Sequence, residues 1–364
     1  MAWQNLVRER GRLAISVGGV AFAVLLILVL RGLYAGFVQQ ATAYVRSVDA
    51  DVWVAQEGTP GDFGHSVSLL APGVVDQIGA VDGVDRATPL LTRPLVFRLN
   101  GDDIDLFLVG VDLESGFGGP PGDDHLTGSG QIVVDEVFAE NNDVRRGDVL
   151  DITGRRLTVV GVTSGGNAVI TQFAWAALDD VAAITRAGDT ISYVLVKSSP
   201  GHTAVQLAAD INAVVPGTKA IAEDDFAAAN AEDVSEGFLP ILWVLVIIGV
   251  VIGTAVIGLT IYTATLEKRR EYGVLKAIGF SNRRLIAIVW RQSLIAAALG
   301  LVAGVGLTYG VAAAIRAALP AFVTDIRAGD VGLVAVAVLL MAVVASFAPV
   351  RPVTRLNLAE VFRV

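Results

Sequence analysis

Apolar positions along this chain gather into four long blocks, separated by stretches with shorter periods. The first block runs from Leu13 to Leu30 without a charge, and the second from Leu239 to Leu266. The third lies within Leu285 to Ile315, broken only by Arg291 and Gln292 near its start, and the fourth spans Val331 to Val350. Each reaches the roughly 18 to 20 apolar residues that cross a ~30 Å hydrocarbon core. In lipid such a segment must satisfy its own backbone groups, so all four are predicted as helices. Arg8, Arg10 and Arg12 precede the first block as they would in a secretory signal, but the run exceeds an apolar core of about 7 to 15 residues. It therefore reads as a retained span.

Between the first two blocks the pattern changes to short alternating runs. Val38 to Val48 continues the first helix. Strands are predicted at Asp51–Val54, Leu95–Leu99, Leu106–Val111, Gln131–Val134, Val149–Ile152, Leu157–Val162 and Ile191–Lys197. Asn100-Gly101 marks a hairpin turn, and Gly154 joins the next pair of strands. Short helices are expected at Val74–Ile78 and Glu136–Asn141, with an amphipathic one at Thr203–Val214. The acidic, Ala-rich segment Glu223 to Gly237 reads as a helical stalk entering the second span. The fold class is therefore membrane α-helical, with four transmembrane helices and an α+β extracytoplasmic domain inserted between the first and second. The expected organisation is residues 1–37 (N-terminal amphipathic segment and first span), 38–230 (external domain with stalk), 231–266 (stalk end and second span) and 267–284 (cytoplasmic loop). It continues with 285–315 (third span), 316–330 (external loop), 331–350 (fourth span) and 351–364 (cytoplasmic tail).

Charge sets the orientation. Residues 1–12, 267–284 and 351–364 together hold 12 Lys/Arg against four Asp/Glu, whereas residues 35–238 hold 11 against 30. The positive-inside rule places both termini and the 267–284 loop in the cytoplasm. A hydrophobic content of 54 % with 17 % charged residues fits a membrane protein. The chain has no cysteine, which excludes disulfides and thiolate chemistry. No GxxxxGK[ST], GxSxG or HExxH occurs, so no phosphate cradle, nucleophile elbow or zinc-protease helix is encoded. The three histidines, His65, His125 and His202, lack metal-ligand spacing. No catalytic, cofactor or metal residues and no nucleic-acid partner are expected.

Two features suggest protein contacts. In the 267–284 loop, Val274, Leu275 and Ile278 are spaced to share one face of a short helix bracketed by Gly273 and Gly279. An apolar patch with a charged rim can dock in a partner's groove, or the loop's basic residues can anchor in anionic lipid. In the spans, Gly249/Gly253, Gly300/Gly304 and Gly306/Gly310 form small-xxx-small pairs that permit close helix approach. Arg291, two turns from the cytoplasmic end, is expected to snorkel to the headgroups.

Three stretches resemble the FtsX/MacB permease superfamily of ABC transporters. One is Trp3-Gln4-Asn5-Leu6-Val7-Arg8-Glu9-Arg10-Gly11-Arg12-Leu13. A second, the most specific, is Glu267-Lys268-Arg269-Arg270-Glu271-Tyr272-Gly273-Val274-Leu275-Lys276-Ala277-Ile278-Gly279-Phe280-Ser281. The third is the tail from Arg351 to Arg363, with Leu358 where the family commonly has proline. The run Gly130 to Val162, with its Gly147-Asp148 turn, is similar to the family's external domain. The resemblance implies a mechanotransmission permease of the bacterial cytoplasmic (inner) membrane, multi-pass, with a MacB-like periplasmic core domain. ATP and Mg would be bound by a separate cytoplasmic ABC ATPase dimer rather than by this chain. Glu271, Gly273, Val274, Leu275, Lys276, Ala277, Ile278 and Gly279 would couple to that ATPase, and Leu358, Glu360 and Phe362 would add a tail contact. Implied partners are a second permease copy (a homodimer or a paralogous heterodimer), membrane lipids, and an extracytoplasmic adaptor, lipoprotein or enzyme. The implied activity is export or extraction of a lipid, lipoprotein, peptide or hydrophobic molecule. Its alternatives are a regulator of an envelope enzyme such as a cell-wall hydrolase, or an antimicrobial sensor or resistance module.

The orientation is testable with single cysteines, since the native chain has none. Ser129→Cys should react with a membrane-impermeant thiol reagent on intact cells and Ser281→Cys should not. The reverse pattern inverts the topology.

Overall fold

The computed structural model describes residues 10–59, 63, 68–164, 167–168, 171–278, 280–318 and 322–354. It divides into two compact units, one built from Gly36–Gly237 and the other from the helical segments on either side of it.

Four helices among the described residues are long and apolar enough to cross a membrane, over Leu13–Ser47, Ser235–Glu267, Asn282–Ala318 and Ala328–Phe347. They lie in α1 (Arg10–Ser47), α6 (Glu223–Glu267), α8 (Asn282–Ala318) and α9 (Ala328–Thr354), with a short α7 (Arg269–Ala277) between α6 and α8. One face of each contributes to a common core that includes Val20, Val24, Ile257, Leu285, Val289, Val338 and Met341. The opposite faces, with Trp243, Ile247, Val251, Val302 and Leu339, stay exposed, as lipid contact requires.

The Gly36–Gly237 unit holds β1 (Val52–Gln56), α2 (Gly73–Gly79), β2 (Val84–Leu99), β3 (Asp102–Val111), β4 (Gln131–Asp135), α3 (Glu136–Asn141), β5 (Val149–Ile152) and β6 (Arg155–Thr163). It continues with β7 (Asn167–Ala168), β8 (Thr171–Ala177), α4 (Leu178–Thr185), β9 (Tyr193–Ser198), α5 (Ala204–Val214) and β10 (Thr218–Ala222). The strands form one sheet in the order β10-β1-β9-β2-β3-β8-β4-β6-β5, with β7 beside β8. Pairing is antiparallel except for β3 with β8 and β4 with β6. The 16-residue β2 is the splint, since Val84–Leu90 pairs with β9 and Leu90–Leu99 with β3.

Strand alternation sorts the side chains into two faces. Trp53, Phe107, Val109, Phe173, Trp175, Tyr193 and Leu195 point to one side. Val52, Val54, Val194 and Val196 point to the other, beneath α2 and α5, as do Leu106, Leu108, Ala174 and Ala176, beneath α3 and α4. Both faces are buried, which is why these strands read as near-continuous apolar runs. The turns follow their sequences. Asn100 and Gly101 have φ of 54° and 103°, and Thr153 and Gly154 have 52° and 89°, so both hairpins close with two left-handed residues.

Three regions depart from expectation, one of them β10, which forms over Thr218–Ala222 where no strand was expected. The strand expected from Leu95 begins eleven residues earlier, at Val84. Pro89 and Pro94 lie inside it, and proline, lacking an N–H, argues against a paired strand at the sequence level. No element was expected over residues 163–190, where β8 and α4 stand. The small, weakly strand-forming Ala174 and Ala176 are placed there because they let the helices close over that face. The amphipathic α5, by contrast, starts where expected, with the Thr203 hydroxyl accepting from the Gln206 amide at 3.3 Å.

A buried carboxylate, paired with an exposed arginine, fixes α4 to the sheet. Asp180 is fully buried and accepts from Arg155 Nε at 2.7 Å, Ser129 Oγ at 2.9 Å and the Gly130 amide at 2.6 Å. Removing the carboxylate leaves the 43 % exposed Arg155 to water but strips the Ser129 hydroxyl and the Gly130 amide of their acceptor, at a cost of about 1–3 kcal/mol. Asp180→Ala should therefore lower stability by about that amount in urea unfolding of the purified protein. A loss below ~1 kcal/mol would assign Asp180 the modest worth of a surface pair.

Candidate coupling site

The short helix α7 follows α6 after a single residue, and the Lys268 amide still donates to the Ala264 carbonyl at 3.2 Å. Glu271 in its first turn and Lys276 in its last match the helix dipole. The chain leaves α7 through Ile278, whose amide donates to Val274 O at 3.1 Å, and Phe280, whose amide donates to Leu275 O at 3.0 Å. The Arg284 and Leu285 amides both donate to Ser281 O, which starts α8.

The faces of α7 have different roles. Tyr272 is 5 % exposed and sits in the bundle core, and Gly273 is buried with it. Leu275 and Phe280 pack half-buried against the same core. Val274 and Ile278, four residues apart, are 48 % and 69 % exposed. The apolar set expected to share one face is thus divided, with Leu275 backing onto its own bundle and Val274 and Ile278 turned outward. Arg270, Glu271, Arg283 and Arg284 are exposed around them, and the Arg284 guanidinium lies 5.8 Å from the Phe280 ring centre. Lys276 is half-buried and Ala277 exposed. Gly279 and the tail residues Leu358, Glu360 and Phe362 lie outside the described residues, as do residues Trp3 to Glu9 of the N-terminal motif.

Four of the six span glycines meet another helix. A Cβ at Gly304 would come within 2.6 Å of Val24 Cβ and 2.8 Å of Ala21 O, and one at Gly300 would collide with Val20. At Gly253 it would meet Ala23 and Met341, each at 3.2 Å, and at Gly249 it would reach Leu26 at 3.5 Å. Gly306 and Gly310 face open space. At Gly19, outside any spaced pair, an added Cβ would lie 2.5 Å from Val256 Cγ1. The close α1–α8 approach thus rests on Gly300 and Gly304. Arg291 is exposed on α8, away from the buried line of Leu285, Val289, Ser293 and Ala296. At the other end of the bundle, Arg31 Nε donates to Asp330 Oδ1 at 2.6 Å, and the Asp325 amide donates to Gly32 O at 3.0 Å. Among the described residues there is no cluster of three or more metal-ligating side chains.

In the sheet unit, the end of α1 and the start of α6 cover the aromatic face. Tyr44 donates to Gly118 O at 2.7 Å, and Phe226 stacks on Trp53 with ring centres 5.0 Å apart. Asn230 Oδ1 accepts from the Phe63 amide at 2.7 Å. Where β1 begins, Asp51 accepts from the Ser198 amide at 2.8 Å and its hydroxyl at 2.6 Å, and the Glu223 amide donates to Asp51 O at 2.9 Å. Burial alone would raise the Asp51 carboxyl, but the Ser198 hydrogen bonds and the Lys197 charge outweigh it and hold it below the usual carboxylate range. The Asp51 carboxylate therefore ties the start of β1 to Ser198 and Lys197 of β9 at neutral pH, a contribution lost as pH falls through its depressed value.

The MacB-like periplasmic core domain family matches residues 13–214, and the FtsX-like permease C-terminal family matches residues 243–358. The chain belongs to the FtsX/MacB family of ABC transporter permeases. Among its relatives, an uncharacterized ABC transporter permease of Mycobacterium tuberculosis is 26 % identical over 367 aligned positions, covering 99 % of this chain and 98 % of that one. A probable syringafactin export ATP-binding/permease protein of Pseudomonas syringae pv. tomato is 22 % identical, covering 85 % of this chain but 50 % of the relative. Of solved structures, the periplasmic region of MacB from Actinobacillus actinomycetemcomitans aligns with 50 % of this permease and 94 % of that chain, at 13 % identity and a TM-score of 0.39. The extracellular domain of the transporter YknZ from Gram-positive bacteria aligns with 47 % and 98 %, at 14 % identity and 0.34. In this FtsX/MacB permease the sheet unit is the extracytoplasmic domain inserted between the first and second of four spans.

Proposed function

We propose that this permease relays the work of a separate cytoplasmic ABC ATPase to its extracytoplasmic domain, with α7 as the coupling helix. The observation that carries the proposal is the division of α7. Val274 and Ile278 present an exposed apolar pair, while Tyr272 and Leu275 seat the same helix in the bundle core. A partner's push on the outer face is met by a helix already packed on α8 and its neighbours. The charge split favours a cytoplasmic α7, with 12 basic residues over residues 1–12, 267–284 and 351–364 against an acidic residue 35–238 segment. ATP and Mg would be held by the partner, and relatives whose names join ATP-binding to permease align with this chain over half their length. ATPases of this kind close as dimers, so the working unit would be two permeases with two ATPases. The load moved would be an apolar or amphipathic molecule on the outer side, because the spans enclose a packed apolar core rather than a polar channel.

Burying one such side chain in a partner groove is worth roughly 1.5–3 kcal/mol, and a carboxylate in its place costs more. Val274→Asp with Ile278→Asp should abolish pull-down of the ATPase at equal membrane expression, whereas Lys268→Ala with Arg270→Ala should weaken it only modestly. Leu275→Asp is a poorer probe, since it would disturb the bundle itself. Normal ATPase binding by the double aspartate variant, with loss in the double alanine variant, would make the loop a lipid anchor and overturn the coupling role.

A further inference from the structure

The helix-covered side of the extracytoplasmic sheet carries a half-open groove of about 400 Å³, within the range of small-molecule sites. Its walls are Pro72 just before α2, Val75 of α2, Pro89 and Leu91 of β2, Ala182 of α4, and Ile191 just before β9. Alternation along β2 puts Arg93 on the same face as Pro89 and Leu91. Arg93 is half-buried and is held by its Nη1, which donates to Thr92 O at 2.8 Å and Ser192 Oγ at 2.7 Å. Its Nη2 donates to the hydroxyl of Thr190, itself a groove residue, at 3.3 Å.

No carboxylate pairs with Arg93 among the described residues, although residues 35–238 hold 30 Asp/Glu against 11 Lys/Arg. Arg31 and Lys197, also partly buried, each have one, Arg31 with Asp330 and Lys197 with Asp49 and Asp51. Burial holds the Arg93 guanidinium below the usual arginine range, with no anion to offset it. A fixed guanidinium fork beside an apolar trough matches a carboxylate on an apolar body. Asp179 and Asp189 also line the groove and are exposed. Their charge opposes ligands bearing several negative groups.

We infer that this groove binds a small apolar molecule ending in a single carboxylate, with Arg93 as the carboxylate contact. A medium-chain fatty acid and the C-terminus of an apolar peptide share that chemistry. The site does not depend on the coupling role of α7, and it is assayed without an ATPase. An environment-sensitive dye on Ala183→Cys, at the exposed side of α4, would be titrated in the full chain in nanodiscs. The probes are octanoate and octanamide, and N-acetyl-Leu-Leu-Phe as acid and amide. At least one acid should bind at least tenfold more tightly than its amide, and which one does so names the source. Arg93→Gln, which keeps an amide donor for Ser192, should erase the preference, and Ala182→Trp should fill the groove and abolish binding of both forms. Equal binding of acid and amide by the native groove, an acid preference that survives in folded Arg93→Gln, or no saturable signal would each overturn the site. The native acid–amide contrast decides even if a variant fails to fold.

Discussion

The extracytoplasmic domain depends on one cluster of aromatic rings. Tyr44 from the end of α1 and Phe226 from the start of α6 meet Trp53, Phe107, Phe173, Trp175 and Tyr193 from four strands, with Phe63 among them. Ring centres lie 4.9 to 6.3 Å apart around Tyr44, and each such pair adds about 0.5–1.5 kcal/mol beyond area burial. Because β1, β9, β3 and β8 all contribute, both helix ends are held by strands from most of the sheet's width. The same two helices continue in sequence as the first and second spans. Both helix ends are therefore part of the domain's own core and cannot be released without unpacking it.

How much of this was legible in the sequence depends on how local the cause is. The four spans, the Asn100-Gly101 hairpin, α3 and α5 follow from run length, turn chemistry and period, all of which act over a few residues. β8 and α4 were illegible because Ala174 and Ala176 are selected by what packs over them. The start of β2 was hidden by Pro89 and Pro94, which the long strand accommodates. Arg31–Asp330 joins residues 299 apart in sequence, and no pattern along the chain announces it.

The coupling site shows the same division. That the 267–284 loop would hold a short helix with an apolar patch was readable from spacing. Which of Val274, Leu275 and Ile278 faces outward was not, because that depends on how α7 leans on Leu285 and Val289. Likewise the glycine pairs were visible, but Gly306 and Gly310 carry the spacing without an intrachain neighbour, while Gly19 packs closely with no pair to mark it.

If α7 relays the work of a partner ATPase as proposed, ATP binding at the partner should move the extracytoplasmic domain. Spin-label distances measure this directly, since the chain has no native cysteine to remove. Labels at Glu140 and Arg327, both exposed, would be compared in the complex with its ATPase, with and without trapped ATP, alongside a pair at Asp103 and Glu140 within the sheet unit. The account predicts a shifted Glu140–Arg327 distribution on ATP binding and an unchanged Asp103–Glu140 distribution. An unshifted Glu140–Arg327 distance in a complex that hydrolyses ATP would contradict it.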